Sequence, residues 1–392
     1  MYKSFNPTLR TLMGPGPSDV NPRILNALAK PTIGHLDPEF LCLMDEIKSL
    51  LQFAFQTHNA LTIPVSAPGS AGMETCFVNL VEAGDKVVIC QNGVFGTRMA
   101  DNVRRLGGDA IIVEDDWGRA VNPQKLADTL VAHPDTKIVA FVHGETSTGV
   151  RSDAKVLCTI AREHDCITIV DCVTSLGGCD VNLDDWQADA AYSGTQKCLS
   201  CAPGLSPVSF SERAVEVIRS RKTPISSWFL DLNLVMGYWG EGQTRAYHHT
   251  APVNALYGLH EALLILHEEG LEASWARHIK NHNALKAGAE ALGLSFIVPE
   301  DERLPQLNTI TIPDGVDEAD IRRELLAQFN LEIGAGLGVL AGKVWRIGLM
   351  GYASNPKNVL LCITALEAVL SQHNAHINKG VAIEAVRKAY AA

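Results

Sequence analysis

The chain has no apolar run approaching the roughly 20 residues that a membrane span needs, so no membrane partner is expected. It also lacks a basic block. With 33 Lys and Arg against 44 Asp and Glu, the formal net charge is −11. That balance argues against nucleic acid as a partner and leaves room only for a local positive pocket. No secretory signal opens the chain, its last residues, Ala389-Tyr390-Ala391-Ala392, are not a peroxisomal tripeptide, and there are no internal repeats or low-complexity tracts. The expected compartment is cytoplasmic. The ten cysteines do not read as a disulfide framework. Cys42, Cys76, Cys90, Cys158 and Cys362 sit inside apolar or helical patterns, where a thiol serves as a small core residue, and free thiols fit a reducing compartment.

What the chain does have is the composition of a globular enzyme: 392 residues, 46% apolar and 20% charged, long enough for two domains of unequal size. Residues 1–22 form an irregular arm, because Gly14-Pro15-Gly16-Pro17 cannot sustain helix or sheet. Leu12 and Met13 make it too apolar for a disordered tail, and a partner subunit is the expected cover. From Leu61 onward strands alternate with helices. Strands are expected at Leu61–Val65, Lys86–Cys90, Ala110–Val113, Lys137–Val142, Ile167–Val170 and Ala190–Tyr192. A Gly/Ser loop at Pro68–Gly72 feeds a helix from Met73, and another helix starts near Gly96. Short loops between alternating elements imply an α/β fold with a mostly parallel sheet covered on both faces. After Pro252 the pattern changes to long helices, Val253–Glu269 and Leu271–Leu292, and shorter strands. The expected division is an arm (1–22), a large domain (23–265) and a smaller C-terminal α+β domain (266–392).

The candidate chemistry lies in Ile167–Lys197. A β-branched strand delivers Asp171 at its carboxyl end, and a second apolar run, Ala190–Tyr192, ends in Ser193-Gly194-Thr195-Gln196-Lys197. Parallel strands place both groups on one rim of the sheet, where open α/β sheets bind ligands. A lysine there can form a Schiff base, and an ionised acid can keep a pyridine nitrogen protonated, which is the chemistry of pyridoxal phosphate. Uncharged Gly/Pro-rich neighbours of Lys197 suggest a desolvated amine of lowered pKa rather than a solvated surface charge. Asp171 in isolation reads equally well as a helix cap. Pro68–Gly72 suits a phosphate cradle, although Gly and Ser are common in any strand-to-helix turn. Phe95 is either core packing or a ring stacked on the cofactor. His143–Gly149 is too polar for core. It reaches the same rim through Thr146, or else His143 and Glu145 form a structural pair. Arg346, within an apolar strand, either meets a buried acid or holds a substrate carboxylate. Cys198-x-x-Cys201, Gly334–Gly338 and His248-His249 do not support a metal or a dinucleotide.

These motifs together resemble the class V, fold-type I aminotransferases, close to the alanine–glyoxylate and serine–pyruvate aminotransferase family. The similarity runs through Met13–Ser18, Met44–Ile47, Phe55–Thr57, His143–Gly149, Ser193–Lys197, Tyr247–Thr250 and Arg346–Gly348. The resemblance implies that Lys197 holds the cofactor and moves protons, that Asp171 pairs with the pyridine nitrogen, and that Val173 and Phe95 enclose the ring. It implies a phosphate held by Gly69, Ser70 and Gln196, joined by Tyr247 and Thr250 from a neighbouring subunit, hence a homodimer. Arg346 would bind the substrate carboxylate, with Gly16 and His35 at the substrate. The family usually has tryptophan at the Phe95 position and a hydroxyl residue with glycine where this chain has Ala67-Pro68, so weaker stacking and fewer phosphate donors are expected.

The chain is also similar to ureidoglycine–glyoxylate aminotransferases, which look to have Gln and Asn where this chain has His35 and Tyr247. A site without those amides should read a ureido group less well. The leading expectation is therefore ping-pong transamination from alanine or serine to glyoxylate or pyruvate, with ureidoglycine as the alternative donor. A lyase of the same fold, or a non-catalytic protein that keeps it, are the rivals.

Overall fold

The computed structural model describes residues 2–240 and 245–391; Met1 of the arm and Ala392 of the C-terminal tetrapeptide lie outside them. Its larger sheet has seven strands among the described residues. In chain order they are β1 (Leu61–Val65), β2 (Lys86–Gln91), β3 (Asp109–Glu114), β4 (Thr136–Val142), β5 (Ile167–Asp171), β6 (Ala190–Tyr192) and β7 (Ser206–Phe210). In space the order is β1-β7-β6-β5-β4-β2-β3. All neighbours are parallel except β7, which runs against both β1 and β6. Strands β1, β5 and β6 are buried on both faces, as their largely apolar sequences require. Register sets Asp171 beside Val142 on one side and Tyr192 on the other. The carboxyl ends of β1, β2, β4, β5 and β6 therefore share a rim.

Strand β7 is not apparent in the sequence, and its direction explains its position. The segment 193–205 leaves β6, passes Lys197 and turns straight back without a crossover helix, which permits only antiparallel pairing. Pro207 argues against a central strand, but it pairs with Pro64 of β1, so the two residues without N–H groups lie opposite each other.

Helices cover the sheet. Four begin with the same device, an Asn or Asp cap followed by proline in the first turn: Asn21-Pro22, Asp37-Pro38, Asn122-Pro123 and Asn355-Pro356. The cap side chain satisfies a free N–H, and proline has none to waste. In Pro38–Phe55, residues Phe40, Met44, Ile47, Leu51 and Phe55 are buried at helical spacing. The helix after β1 begins at Gly69 rather than Met73, so the expected loop is its first turn. The next begins at Val94 rather than Gly96. Helices Glu212–Arg219, Leu232–Tyr238 and Ala382–Ala391 add to those expected.

Buried apolar residues fall into two main clusters, one from Ile24 to Leu271 around the large sheet and one of Met13 with residues from Ala284 to Val386. The second surrounds an antiparallel sheet of β8 (Leu307–Thr311), β9 (Gly334–Ala335) and β10 (Val344–Gly348), in the order β8-β10-β9. Nine of the ten cysteines are buried free thiols, but Cys42, expected in the core, is exposed: its helix turns that face to water.

The arm also departs from expectation. Leu12 and Met13 are covered by this chain itself. Thr11–Leu12 pairs with Leu331–Glu332, and Met13 is wholly buried in the second cluster. Tyr2, Phe5 and Leu9 remain exposed. The main chain at Gly348 touches that at Gly14, and Gly348 N–H donates to Met13 O at 2.7 Å. A Cβ at 348 would overlap the Gly14 carbonyl, so Gly348→Ala should displace this segment and lower stability by about 1–3 kcal/mol in denaturant unfolding. An unchanged midpoint would mean the arm lifts off at no cost.

Candidate active site

Lys197 follows β6 and is 8% exposed. Its backbone is tied down by residues from the arm. Ser18 Oγ donates to Lys197 O at 2.8 Å, and Ser18 N–H donates to Gln196 O at 2.9 Å. The Lys197 amine donates to the Pro15 carbonyl. Gly16 has a positive φ of 109°, and a side chain there would fall 2.7 Å from the amine nitrogen, so only glycine fits. Gly16 is thus at the site, and the arm forms one of its walls. Burial, reinforced by the charge of Arg346, pushes the Lys197 pKa down to about 8, with Asp171 opposing the shift.

Asp171 ends β5 and is nearly inaccessible. It does not cap a helix. Its carboxylate accepts Val173 N–H at 2.8 Å and the Tyr192 hydroxyl at 2.6 Å. Burial nevertheless pushes its pKa up to about 7, the two donors pulling the other way. Tyr192, which sequence reasoning treated only as a strand end, is the residue it missed here. The available signal was the shared register of two adjacent parallel strands, which puts Tyr192 beside Asp171.

Gly69 begins its helix next to Asp171's neighbours. A methyl group there would lie 3.6 Å from Val173 Cγ2 and 3.5 Å from Ser193 O. First-turn N–H groups of a helix have no partner within it and present its positive end. Ser70, the second helical residue, is exposed. Gln196 Oε1 is buried without a hydrogen-bond partner. Phe95 is the second residue of Val94–Arg105, half-buried, with the Arg98 guanidinium 4.8 Å from its ring centroid. Its N–H donates to Glu145 at 3.2 Å, so the polar segment after β4 anchors the helix carrying Phe95.

That segment settles an open alternative. Glu145 bonds Ser147 through both N–H (2.9 Å) and hydroxyl (2.6 Å), whereas His143 packs edge-on against Trp186 with ring centroids 4.8 Å apart. The two do not pair. Burial pushes His143 down to about 3 and raises Glu145. The Thr146 hydroxyl bonds Thr174, and its carbonyl accepts from Arg346 Nη1 at 2.9 Å. Arg346 also donates from Nε to Ala335 O at 2.7 Å. Carbonyls, rather than a buried acid, hold this guanidinium, and burial pushes its pKa down to about 10 against the pull of Glu145.

His35, Tyr247 and Thr250 stand apart from this group. The Tyr247 ring lies 5.4 Å from that of His35 and is 65% exposed, and Thr250 is exposed too. Tyr238 gives its hydroxyl proton to His35 O at 2.9 Å, so His35 Nδ1, 3.0 Å from that hydroxyl, must be the donor to it.

The residues fit pyridoxal phosphate. A dry carboxyl with a raised pKa suits a positively charged ring nitrogen, a helix N-terminus suits a phosphate, and a buried amine of lowered pKa suits imine formation.

A family model, Aminotransferase class-V, matches residues 23–356. An alanine–glyoxylate aminotransferase of Drosophila melanogaster is 41% identical over 92% of this chain and 93% of its own. Among solved structures, the ureidoglycine–glyoxylate aminotransferase of Bacillus subtilis superposes with a TM-score of 0.97 at 39% identity, covering 100% of both chains. An alanine–glyoxylate aminotransferase from Nostoc sp. superposes at 0.92 with 46% identity, over 94% of this chain and 97% of its own.

The electrostatics can be read directly in cofactor-free protein. Competitive acetylation followed by mass spectrometry should give the Lys197 amine a midpoint near 8, whereas a solvated lysine titrates near 10.5. Tyr192→Phe removes a donor from Asp171, which raises the acid's pKa and diminishes its negative charge at neutral pH. The Lys197 midpoint should then fall below the wild-type value.

Proposed function

The chain belongs to the class-V aminotransferases, and from that premise we propose that it transfers the amino group of alanine or serine to glyoxylate or pyruvate by a ping-pong mechanism. Its cofactor is pyridoxal phosphate. The observation that carries the reading is the convergence of a lysine, an acid and an arginine, all dry and electrostatically coupled: Lys197 feels both Arg346 and Asp171.

When bound, the cofactor supplies an electron sink for charge that develops at the substrate's Cα. Lys197 is the residue that would hold it covalently. Its amine, neutral above about pH 8, would take the proton from the donor's Cα. Asp171, oriented by Tyr192 and Val173, would hold the proton on the cofactor's ring nitrogen. Gly69, Ser70 and Gln196 would take the phosphate, Val173 and Phe95 would enclose the ring, and Thr146 would lie near the phenolic oxygen. Arg346, with two of its N–H groups committed to backbone carbonyls, keeps an edge for the substrate carboxylate. Gly16 leaves room beside the amine, and His35, which stands apart from Lys197 within this chain, is the further residue we assign to reading the substrate.

We further propose a homodimer in which Tyr247 and Thr250 complete the neighbouring subunit's phosphate site. Their exposure supports this, as does Trp228, 63% exposed while stacked on His248 at 4.6 Å. We also propose an arm (1–22), a large domain (23–265) and a small domain (266–392); two main apolar clusters support two bodies, with Leu266 and Leu271 packed in the first and Met13 of the arm in the second. Among the described residues no helix is long and apolar enough to cross a membrane, and the free buried thiols fit the cytoplasm. Small amino acids and 2-oxo acids are the expected partners.

A second reading, with ureidoglycine as donor, has the full-length overlay on the Bacillus subtilis enzyme in its favour. Single-turnover absorbance separates the two. The holoenzyme's visible band should bleach with alanine or serine faster than with ureidoglycine and return on addition of glyoxylate. Bleaching by ureidoglycine alone would install the second reading, and no bleaching by any of them would remove both. Arg346→Gln should raise the donor's KM about 10–100-fold, the worth of a charged hydrogen bond, and Lys197→Ala should abolish turnover.

A further inference from the structure

His278 lies in the helix Leu271–Ala291 and is wholly buried. Its hydrogen bonds admit one protonation state. Nδ1 is 2.7 Å from Ser274 O, which can only accept, and Nε2 receives Gly351 N–H at 2.9 Å, which can only donate. The imidazole is therefore neutral, with its proton on Nδ1. A second proton would set one N–H against another. Burial and the adjacent Arg277 push its pKa down to about 4, with Glu269 opposing, so this state holds across the neutral range.

Gly351 is thereby held at both ends from a single helix. His278 takes its N–H, and Arg277 Nη1 donates to its carbonyl at 2.7 Å and to Ser354 O at 3.0 Å. Gly351 has a positive φ of 53°, and a side chain there would overlap Ser200. The next residue, Tyr352, donates its N–H to Ser200 Oγ at 2.6 Å. Ser200 is itself left-handed at φ 53°, a conformation a serine adopts only when its surroundings impose it. Its N–H closes the turn on Lys197 O at 2.9 Å. Hydrogen bonds joined by short covalent links thus connect the helix Leu271–Ala291 to the backbone of Lys197. An open cavity of about 730 Å³ is lined by Leu199, Ser200, Arg277, Gly351 and Tyr352, among others.

We propose that His278 is a positioning residue for Lys197: it fixes the Gly351–Tyr352 turn, which holds Ser200 in its left-handed conformation and so sets where the Lys197 amine points. The inference rests on the reading of Lys197 given above and adds a residue that touches neither substrate nor cofactor.

The test compares His278→Met, which fills the space but offers Gly351 N–H only a weakly accepting thioether, with His278→Gln, whose amide oxygen can restore a full acceptor. His278→Met should lower kcat about 10–100-fold, the scale of a small misplacement of a reacting group, with little change in KM. In cofactor-free protein it should move the acetylation midpoint of Lys197. His278→Gln should recover most of both. Ser200→Ala severs the same connection at its other end, so Ser200→Ala and His278→Met combined should cost no more than the worse single change. The proposal is overturned if His278→Met leaves the midpoint and kcat at wild-type values, if His278→Gln rescues neither, or if the two losses multiply. Should His278→Met fail to fold, Ser200→Ala alone decides, an unchanged midpoint and kcat overturning the proposal. Lys197→Ala separates the two levels: if it abolishes turnover while the His278 and Ser200 variants behave as wild type, only this inference fails, whereas turnover without Lys197 removes the reading beneath it.

Discussion

Water is kept away from Lys197, Asp171 and Arg346, and much of the molecule's arrangement answers what that exclusion costs. Isolated charges in a dry interior are expensive unless each finds donors, acceptors or an opposite charge. Here each finds a partial answer. The carboxylate has a tyrosine hydroxyl and one N–H, the guanidinium has two carbonyls, and the ammonium has the Pro15 carbonyl. None is fully compensated, which is why all three pKa values shift toward the neutral forms. An incompletely compensated site keeps its remaining valences for what it binds.

Much of this was legible in the sequence, for reasons that differ by residue. Asp171 and Lys197 stand out because a charge at the end of an apolar parallel strand has a fixed destination, the carboxyl rim. Arg346 stands out because it interrupts the strand Val344–Gly348. Strand boundaries followed from β-branched runs and held to within a residue or two. What stayed hidden was decided by partners distant in the chain. β7 carries Pro207 as its second residue and no long apolar run, and only its pairing with β1 and β6 makes it a strand. Tyr192 gains its role from a cross-strand neighbour 21 positions away. The proximity of His143 and Glu145 in sequence suggested a pair, but Glu145 is taken up by Ser147 and the Phe95 N–H while His143 packs on Trp186, partners that local sequence does not name. The cover over Leu12 and Met13 comes from strands more than 300 residues later, which local patterning cannot show.

The site draws on two different kinds of support. One is the rigid sheet, whose register fixes Asp171, Tyr192 and the exit toward Lys197. The other is a set of irregular segments, 15–18, 145–149 and 351–354, that close over the rim using backbone groups as donors and acceptors. Backbone groups are insensitive to side-chain identity, so these segments depend on conformation, on the glycines that permit it, and on the few side chains, Ser18, Glu145 and His278, that hold them in place.

The arm's location has a consequence for how the protein is made. Arg10 bonds Asn330, 320 positions away, and Thr11–Leu12 completes its ladder only with Leu331–Glu332. A ribosome releases the first segment long before its partner exists. Until the last fifth of the chain emerges, Leu12 and Met13 have no cover and the Lys197 amine has no Pro15 carbonyl. The large sheet can condense early, but its rim stays open. Contacts of such long sequence separation are the slow ones in folding. The nascent chain therefore passes through a period in which its core is built and its catalytic wall is missing.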